Sequence, residues 1–544
     1  MQSRHTDLGS AFNESFDYVI VGAGTCGCIV ANRLTEDPNV SVLLIEAGGN
    51  DDDPKLSETS LSALFSVWKP DMMWAGLATE PEPGLNMRSM SIIQAKLMGG
   101  GSSNNGRIYL RGNRKDYDLW GYLGNEGWDY EGCLPYWKKL EDWEGGADEY
   151  HGAGGPVHVI TTPDATNASQ AFVEAGPELG FKNPNGDGKP WDFNGYQQEG
   201  VASFTHSTTT VDNKRASTAA MYIRPILERP NLTVKMKCQT TKVVFHGTNA
   251  VGVEYISEGK SETFKVEAKK EVILSAGALS TPKLLMLSGI GPSAHLNSHG
   301  IHTLVDLPGV GQNVQDHLFT MAGCYVNVEQ HEPSIICEAT FFTRTRSGLH
   351  SPDLQYFFSG FFSPDFPTPP TRPGFTMSTV LSKPQSRGEV TLRSTNPQDL
   401  PRVQMNYLST EYDMQQQLYG FALRQEFLHT SALSKIITED VTPGPEGKDE
   451  KSLRNYIRNT TMTDWHPSCS CRMGYDEYGV VDPQLRVHGT TGLRIIDASI
   501  MPEMPNCNIN AACLMIGEKG SHLIKGLDPI QNVATDKIYM DIKA

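Results

Sequence analysis

The sequence predicts an α/β protein in two parts, one on a parallel sheet and one an α+β part with an antiparallel sheet. Three observations lead there. Phe16 to Gly49, FDYVIVGAGTCGCIVANRLTEDPNVSVLLIEAGG, reads as strand, glycine turn, helix and strand, the opening of a Rossmann-type unit. The chain has 544 residues, more than one small core organises. From about Leu318 to Thr460 the texture changes to alternating strand runs broken by Pro and Gly, then helices.

Each element has its own reason. Tyr18 to Val21 is short, apolar and β-branched, as a buried parallel strand requires. Gly22, Gly24 and Gly27 follow at G-x-G-x-x-G spacing. The first permits a tight turn, the second lets backbone approach a pyrophosphate, and the third lets the helix lie close on the strand. Ile29 to Leu34 continues the helix, whose N-terminus offers unpaired N–H groups to an anion. Ser41 to Ile45 is the second strand, and Glu46 at its end sits where a carboxylate accepts the ribose hydroxyls of an adenosine. A dinucleotide site follows from these parts together.

The stretch to about Pro83, with Trp68 and Trp74, is too long for a simple connection and reads as a lid or extended arm. AKLMGGGSSNNGRIYLRG (Ala95 to Gly112) is a glycine-rich loop able to approach a flat ligand. Trp120 to Gly155 reads as helical and then turn-rich, and Thr162 to Glu199 leaves the first part. A helix is expected over Arg215 to Leu227, strands over Leu232 to Ile256 around a Gly-Thr-Asn turn, and a buried strand at Glu271 to Ala278. Ser280-Thr281-Pro282 enters another helix, with an N-cap and a first-turn proline. PGVGQNVQDH (Pro308 to His317) is a loop, and the tail from Thr463 to Lys525 returns to short strands and a closing helix at Ala511 to Gly520.

Bulk composition excludes other classes. Hydrophobic residues are 38% and charged residues 20%, ordinary for a globular chain. A formal charge of −17 without a basic tract argues against nucleic acid and anionic membranes as partners. No apolar run reaches the roughly 18 residues of a membrane span. Ten cysteines are too sparse for a disulfide scaffold, and Cys469 and Cys471 beside His466 lack a second pair at zinc spacing, so no metal is expected. Residues 1 to 15 lack the apolar core of a signal peptide. Five N-x-S/T sequons, at Asn13, Asn39, Asn167, Asn231 and Asn459, are about what chance gives in a chain this rich in Ser and Thr; the location stays open, with a secreted one slightly favoured.

Further motifs carry a resemblance. GALSTPKLLMLSGIG (Gly277 to Gly291), Ala95 to Gly112 with departures at Met98 and Asn104, PGVGQNVQDH, WHPSCSCRMG, VVDPQLRVHGTTGLRIIDASIMP and NINAA occur in one order. In these the chain resembles the glucose–methanol–choline (GMC) family of flavin oxidoreductases, from Phe16 nearly to its C-terminus, and its sequence flavour is similar to the arthropod branch. The resemblance implies FAD, a discontinuous FAD domain (1–155, 204–317 and 462–544) and a substrate domain (156–203 and 318–461) on an antiparallel sheet. It puts Gly22, Gly24, Thr25, Cys26 and Gly27 at the pyrophosphate, Glu46 and Ala47 at the ribose, and Thr240 at adenine. Met98, Gly100, Ser102, Asn105, Gly106 and Ile108 fall along the flavin, with Trp465, Asp497, Ala498 and Ala511 also near it. Asn104 stands where some relatives bond flavin through a histidine, which an amide cannot do, so the FAD is expected to be non-covalent.

Alcohol oxidation needs a base near the flavin and a group to fix the alcohol oxygen. By the resemblance His466 is that base and Asn510 the second catalytic residue. The aromatic run Tyr356, Phe357, Phe358, Phe361, Phe362 and Phe366 is a candidate pocket wall or simple core. The expected reaction is oxidation of an apolar or aromatic alcohol, a cyanohydrin such as mandelonitrile included, with O2 preferred over a quinone as acceptor. Sugar or ecdysteroid oxidation and a hydroxynitrile lyase that keeps FAD without redox change stand as alternatives, since the motifs determine cofactor and base but not reaction type. A catalytically dead protein is disfavoured by the presence of both His466 and Asn510.

Overall fold

The computed structural model describes residues 12–530 except 187, 261, 366, 367 and 369. Strand β1 (Glu14–Val21) buries its apolar end on both faces and runs through the glycine turn into helix α1 (Thr25–Leu34) and strand β2 (Val42–Ile45). β1 and β2 pair in parallel, Tyr18 opposite Val42. Strand β3 (Thr263–Leu274) lies parallel on β1's other side, Val19 opposite Val272. Strand 232–235 extends the sheet beyond β2, the hairpin of Cys238–His246 and Asn249–Ser257 adds antiparallel strands to β3, and Leu493–Ile495 returns to pair with β3 in parallel. Helix α2 (Ser280–Leu287) follows β3.

Among the described residues the second sheet has eight strands, all paired antiparallel, among them β4 (Leu354–Ser359) and β5 (Gly374–Leu381). Alternation decides its faces. Tyr356 and Phe358 on β4 turn to the helices at 167–178 and 411–428, where Phe358 stacks on Phe172 at 4.5 Å. Phe357, between them, turns to the opposite face, where it packs with Ile108, Phe319 and Val380 and lines a cavity. Helix α3 (Asn510–Ile524) packs on α1 and is joined to it by an ion pair at 2.6 Å between half-buried Arg33 and fully buried Glu518. Among the described residues, no helix is long and apolar enough to cross a membrane.

Several expectations differ from the fold. Arg215 to Leu227 is one wide turn at 219–223 and a 3₁₀ turn at 224–226, where Pro225 supplies no N–H for a longer helix. Ser280 does not cap α2; the helix begins at Ser280 with Leu279 at the cap, and the Thr281 hydroxyl bonds Asp497 instead. Strand pairing also crosses the anticipated domain boundaries. Glu141–Trp143 pairs Val157–Thr161, Ser203–Phe204 is one strand of the antiparallel sheet, and Met462–Thr463 pairs Leu318–Thr320 in that sheet.

Candidate active site

One long cavity runs from the C-terminal ends of β1 and β2 to the inner face of β4 and β5, where ligands of open α/β sheets bind. At its nucleotide end, Gly22 turns with φ +97° and a Cβ there would meet the Ser275 carbonyl at 2.5 Å. Glu46 is buried and braces this turn, accepting Ala23 N–H and Gly48 N–H at 2.8 Å each. Burial raises its carboxyl pKa, and these two N–H bonds oppose the rise. The second glycine-rich segment packs directly on the first. Gly99 N–H donates to the Ala23 carbonyl at 2.7 Å, and a Cβ on Gly100 would come within 2.7 Å of Gly24 Cα.

The cavity wall holds Gly22, Gly24, Thr25, Cys26, Glu46, Ala47, Gly100, Asn105, Gly106, Ile108, Thr240, Trp465, His466, Asp497, Ala498 and Asn510. Four expected residues lie off it. Gly27 faces β1, where a Cβ would stand 2.0 Å from the Gly22 carbonyl oxygen. Met98 is buried under the turn, its N–H on the Gly49 carbonyl. The Ser102 hydroxyl is spent on Gly99 and Thr218, and the Ala511 carbonyl accepts the Trp137 indole. Thr240 Oγ1, Ser275 Oγ, Gln94 Oε1 and Asn104 Nδ2 are buried on the wall without partners. Unpartnered donors and acceptors along a glycine-cradled cleft fit the polar edge of a dinucleotide such as FAD.

The far end is aromatic, formed by Trp68, Phe319, Phe357, Phe361 and Trp465. Trp68 comes from the stretch after Gly49, packs on Trp465 with ring centroids 5.3 Å apart, and donates its indole N–H to the Asn104 carbonyl. Phe362 packs on Tyr325, and Phe366 lies outside the described residues. Trp465 has φ +55°, a costly conformation for an aromatic residue and a mark of an over-determined site.

His466 follows it. The Asp316 carboxylate accepts His466 backbone N–H at 2.8 Å. The ring places Nδ1 3.0 Å from His317 Nδ1 and 3.3 Å from Asp464 Oδ2, and Nε2 3.4 Å from Asn508 Nδ2. Burial pushes the His466 imidazole down to about 3, so it is neutral at neutral pH. Asp464, which also lines the cavity, is raised well above the usual range by burial and by the Asp316 charge.

The partner of His466 is therefore Asn508, not Asn510. Asn510 opens α3, and its Oδ1 accepts from the Thr25 hydroxyl at 3.4 Å, at the phosphate turn. Both asparagines belong to the same N-I-N triplet, and only the turn into α3 separates their directions. His317 and Asp464 were also absent from the sequence reading, although His317 ends the PGVGQNVQDH motif and Asp464 stands two residues before His466. Phe319, two residues after His317, was missed likewise.

Comparison with known proteins places this geometry. The family model described as GMC oxidoreductase matches residues 16–319 in its N-terminal part and 384–517 in its C-terminal part. An oxygen-dependent choline dehydrogenase of Pseudomonas fluorescens (strain SBW25) is 39% identical over 553 residues, covering 96% of each chain. The crystal structure of pyridoxine 4-oxidase from Mesorbium loti superposes with a TM-score of 0.84 at 26% identity, over 94% of this chain and 100% of the other. A formate oxidase structure gives a TM-score of 0.85 at 25% identity, over 95% and 99%.

Proposed function

Since the chain belongs to the GMC oxidoreductase family and is an FAD enzyme acting on CH–OH donors, we propose that it oxidises an apolar or aromatic alcohol to the carbonyl, with His466 as base. One observation carries this reading: His466 Nε2 and Asn508 Nδ2 stand side by side at the aromatic end of the cavity. Neutral His466 takes the hydroxyl proton at Nε2, and Asn508 donates to the alcohol oxygen as negative charge develops there. Trp68, Phe319, Phe357 and Phe361 exclude water and seat the apolar part. The glycine turn, Glu46 and the Thr240 strand would hold FAD, non-covalently because Asn104 offers no covalent link, and when bound it would supply the hydride acceptor. O2 is the proposed final acceptor, and the name of the 39% identical relative supports that choice.

The aromatic walls favour one second reading, a quaternary ammonium alcohol such as choline, since faces of Trp and Phe attract cations. The test mixes the yellow holoenzyme anaerobically with benzyl alcohol, mandelonitrile or choline, following flavin absorbance and free cyanide. Bleaching by the first two that air reverses supports the reading. Bleaching by choline alone moves the substrate class to amino alcohols. Cyanide release with oxidised flavin makes the protein a lyase and overturns the proposal.

A further inference from the structure

We propose that His317 is a positioning residue that holds His466 in the tautomer with a bare Nε2, and thereby makes it a base toward the cavity. This rests on the reading of His466 as the base. His317 is 1% exposed, and its Nε2 lies 3.0 Å from the Ser382 carbonyl oxygen. A carbonyl only accepts, so Nε2 carries the hydrogen. Burial above all, together with the nearby Lys383 ammonium, keeps the His317 imidazole well below its usual range. It therefore holds one proton, and Nδ1 is bare.

His466 Nδ1 stands 3.0 Å from that bare nitrogen. Two lone pairs repel at this distance, so His466 Nδ1 is the donor. His466 is itself neutral, and its single proton is then on Nδ1. Nε2 is left as an acceptor, where Asn508 and the cavity are. A backbone carbonyl of the second part thus sets the polarity of the chain Ser382, His317, His466. Of the other charged groups nearby, Lys383 is engaged by Asp116 and the Met504 carbonyl. Asp316 accepts from His466 N–H, Thr463 and Tyr407, gripping the backbone of the residue whose ring His317 orients. Asp464 Oδ2 lies 3.3 Å from the same Nδ1 without a hydrogen-bond partner; burial raises this carboxyl well above its usual range, and through its carbonyl oxygen it is a reserve acceptor. The logic is that of a second group fixing a catalytic imidazole.

The experiment compares H317F, H317Q, D464L and H317F/D464L as FAD-loaded enzymes, by anaerobic flavin reduction and FAD content. H317F is expected to reduce about 10- to 100-fold more slowly, because only Asp464 then takes Nδ1–H. H317Q presents an amide oxygen in place of Nδ1 and is expected to recover at least about tenfold over H317F. H317F/D464L loses both acceptors and falls further than the two single losses together. In ¹⁵N-histidine-labelled wild-type protein, His466 Nε2 is expected to resonate as an unprotonated imidazole nitrogen, a readout that needs no variant to fold. A protonated Nε2 in the wild type, or H317Q no faster than H317F at equal FAD content, overturns the proposal. H466A retaining full activity instead sinks the reading of the base itself.

Discussion

Asn508→Ala and Asn510→Ala separate two neighbours that look interchangeable in the chain. Asn508→Ala removes an amide 3.4 Å from His466 Nε2 whose Oδ1 is buried and unpartnered. In the resting enzyme that bond is long, worth about 0.5–1 kcal/mol. A donor aimed at an oxygen that gains charge in the transition state is worth more, about 3–4 kcal/mol or a 10²- to 10³-fold loss in rate. Asn510→Ala removes only the acceptor for Thr25 Oγ1, at 3.4 Å. One neutral bond at the phosphate turn contributes about 1 kcal/mol, so FAD affinity falls about fivefold and the rate at full occupancy holds. Stopped-flow reduction at saturating FAD reads the first quantity, and quenching of flavin fluorescence reads the second. If Asn510→Ala slows reduction at full occupancy more than Asn508→Ala does, the assignment of Asn508 is refuted.

Four further outcomes follow from the same structure. His466 titrates near 3 when folded and near 6.5 otherwise, so between these values the unfolded chain binds the extra proton. Stability therefore rises with pH across that window and is lost on acidification, a slope that His466→Asn is expected to flatten in pH-dependent urea melts. The acid limb of kcat/KM is expected well below pH 6.5 for the same reason, read from a pH–rate profile. Gly27→Ala drives a Cβ to 2.0 Å from the Gly22 carbonyl, which is backbone and cannot swing away; about 1–3 kcal/mol of overpacking is expected, seen as FAD lost on gel filtration and a lower Tm. Glu518→Ala leaves Arg33 without the fully buried carboxylate that also binds Tyr222 and Lys139. A loss of about 3–5 kcal/mol is expected, with Glu518→Gln milder, in chemical denaturation.

What the chain determined by itself was local. The strand, the glycine spacing and the helix from Tyr18 to Leu34 are decided by φ/ψ preference and by contacts between near neighbours, and the acid at Glu46 follows from the length of the unit. The WHP histidine and the alternation along β4 were legible for the same reason. Which asparagine of N-I-N meets His466 was not, because a one-residue change of direction at the entry to α3 depends on how that helix packs on α1. Nor did spacing reveal that Met98, Ser102 and Ala511 lie off the cavity wall, since Met98 N–H and the Ser102 hydroxyl are held by backbone carbonyls and the Ala511 carbonyl by the Trp137 indole. Asp464 and His317 gained their meaning only where Leu318–Thr320 pairs with Met462–Thr463. That antiparallel contact brings two loops about 150 residues apart against one imidazole, and long-range pairing of this kind leaves no local pattern to read.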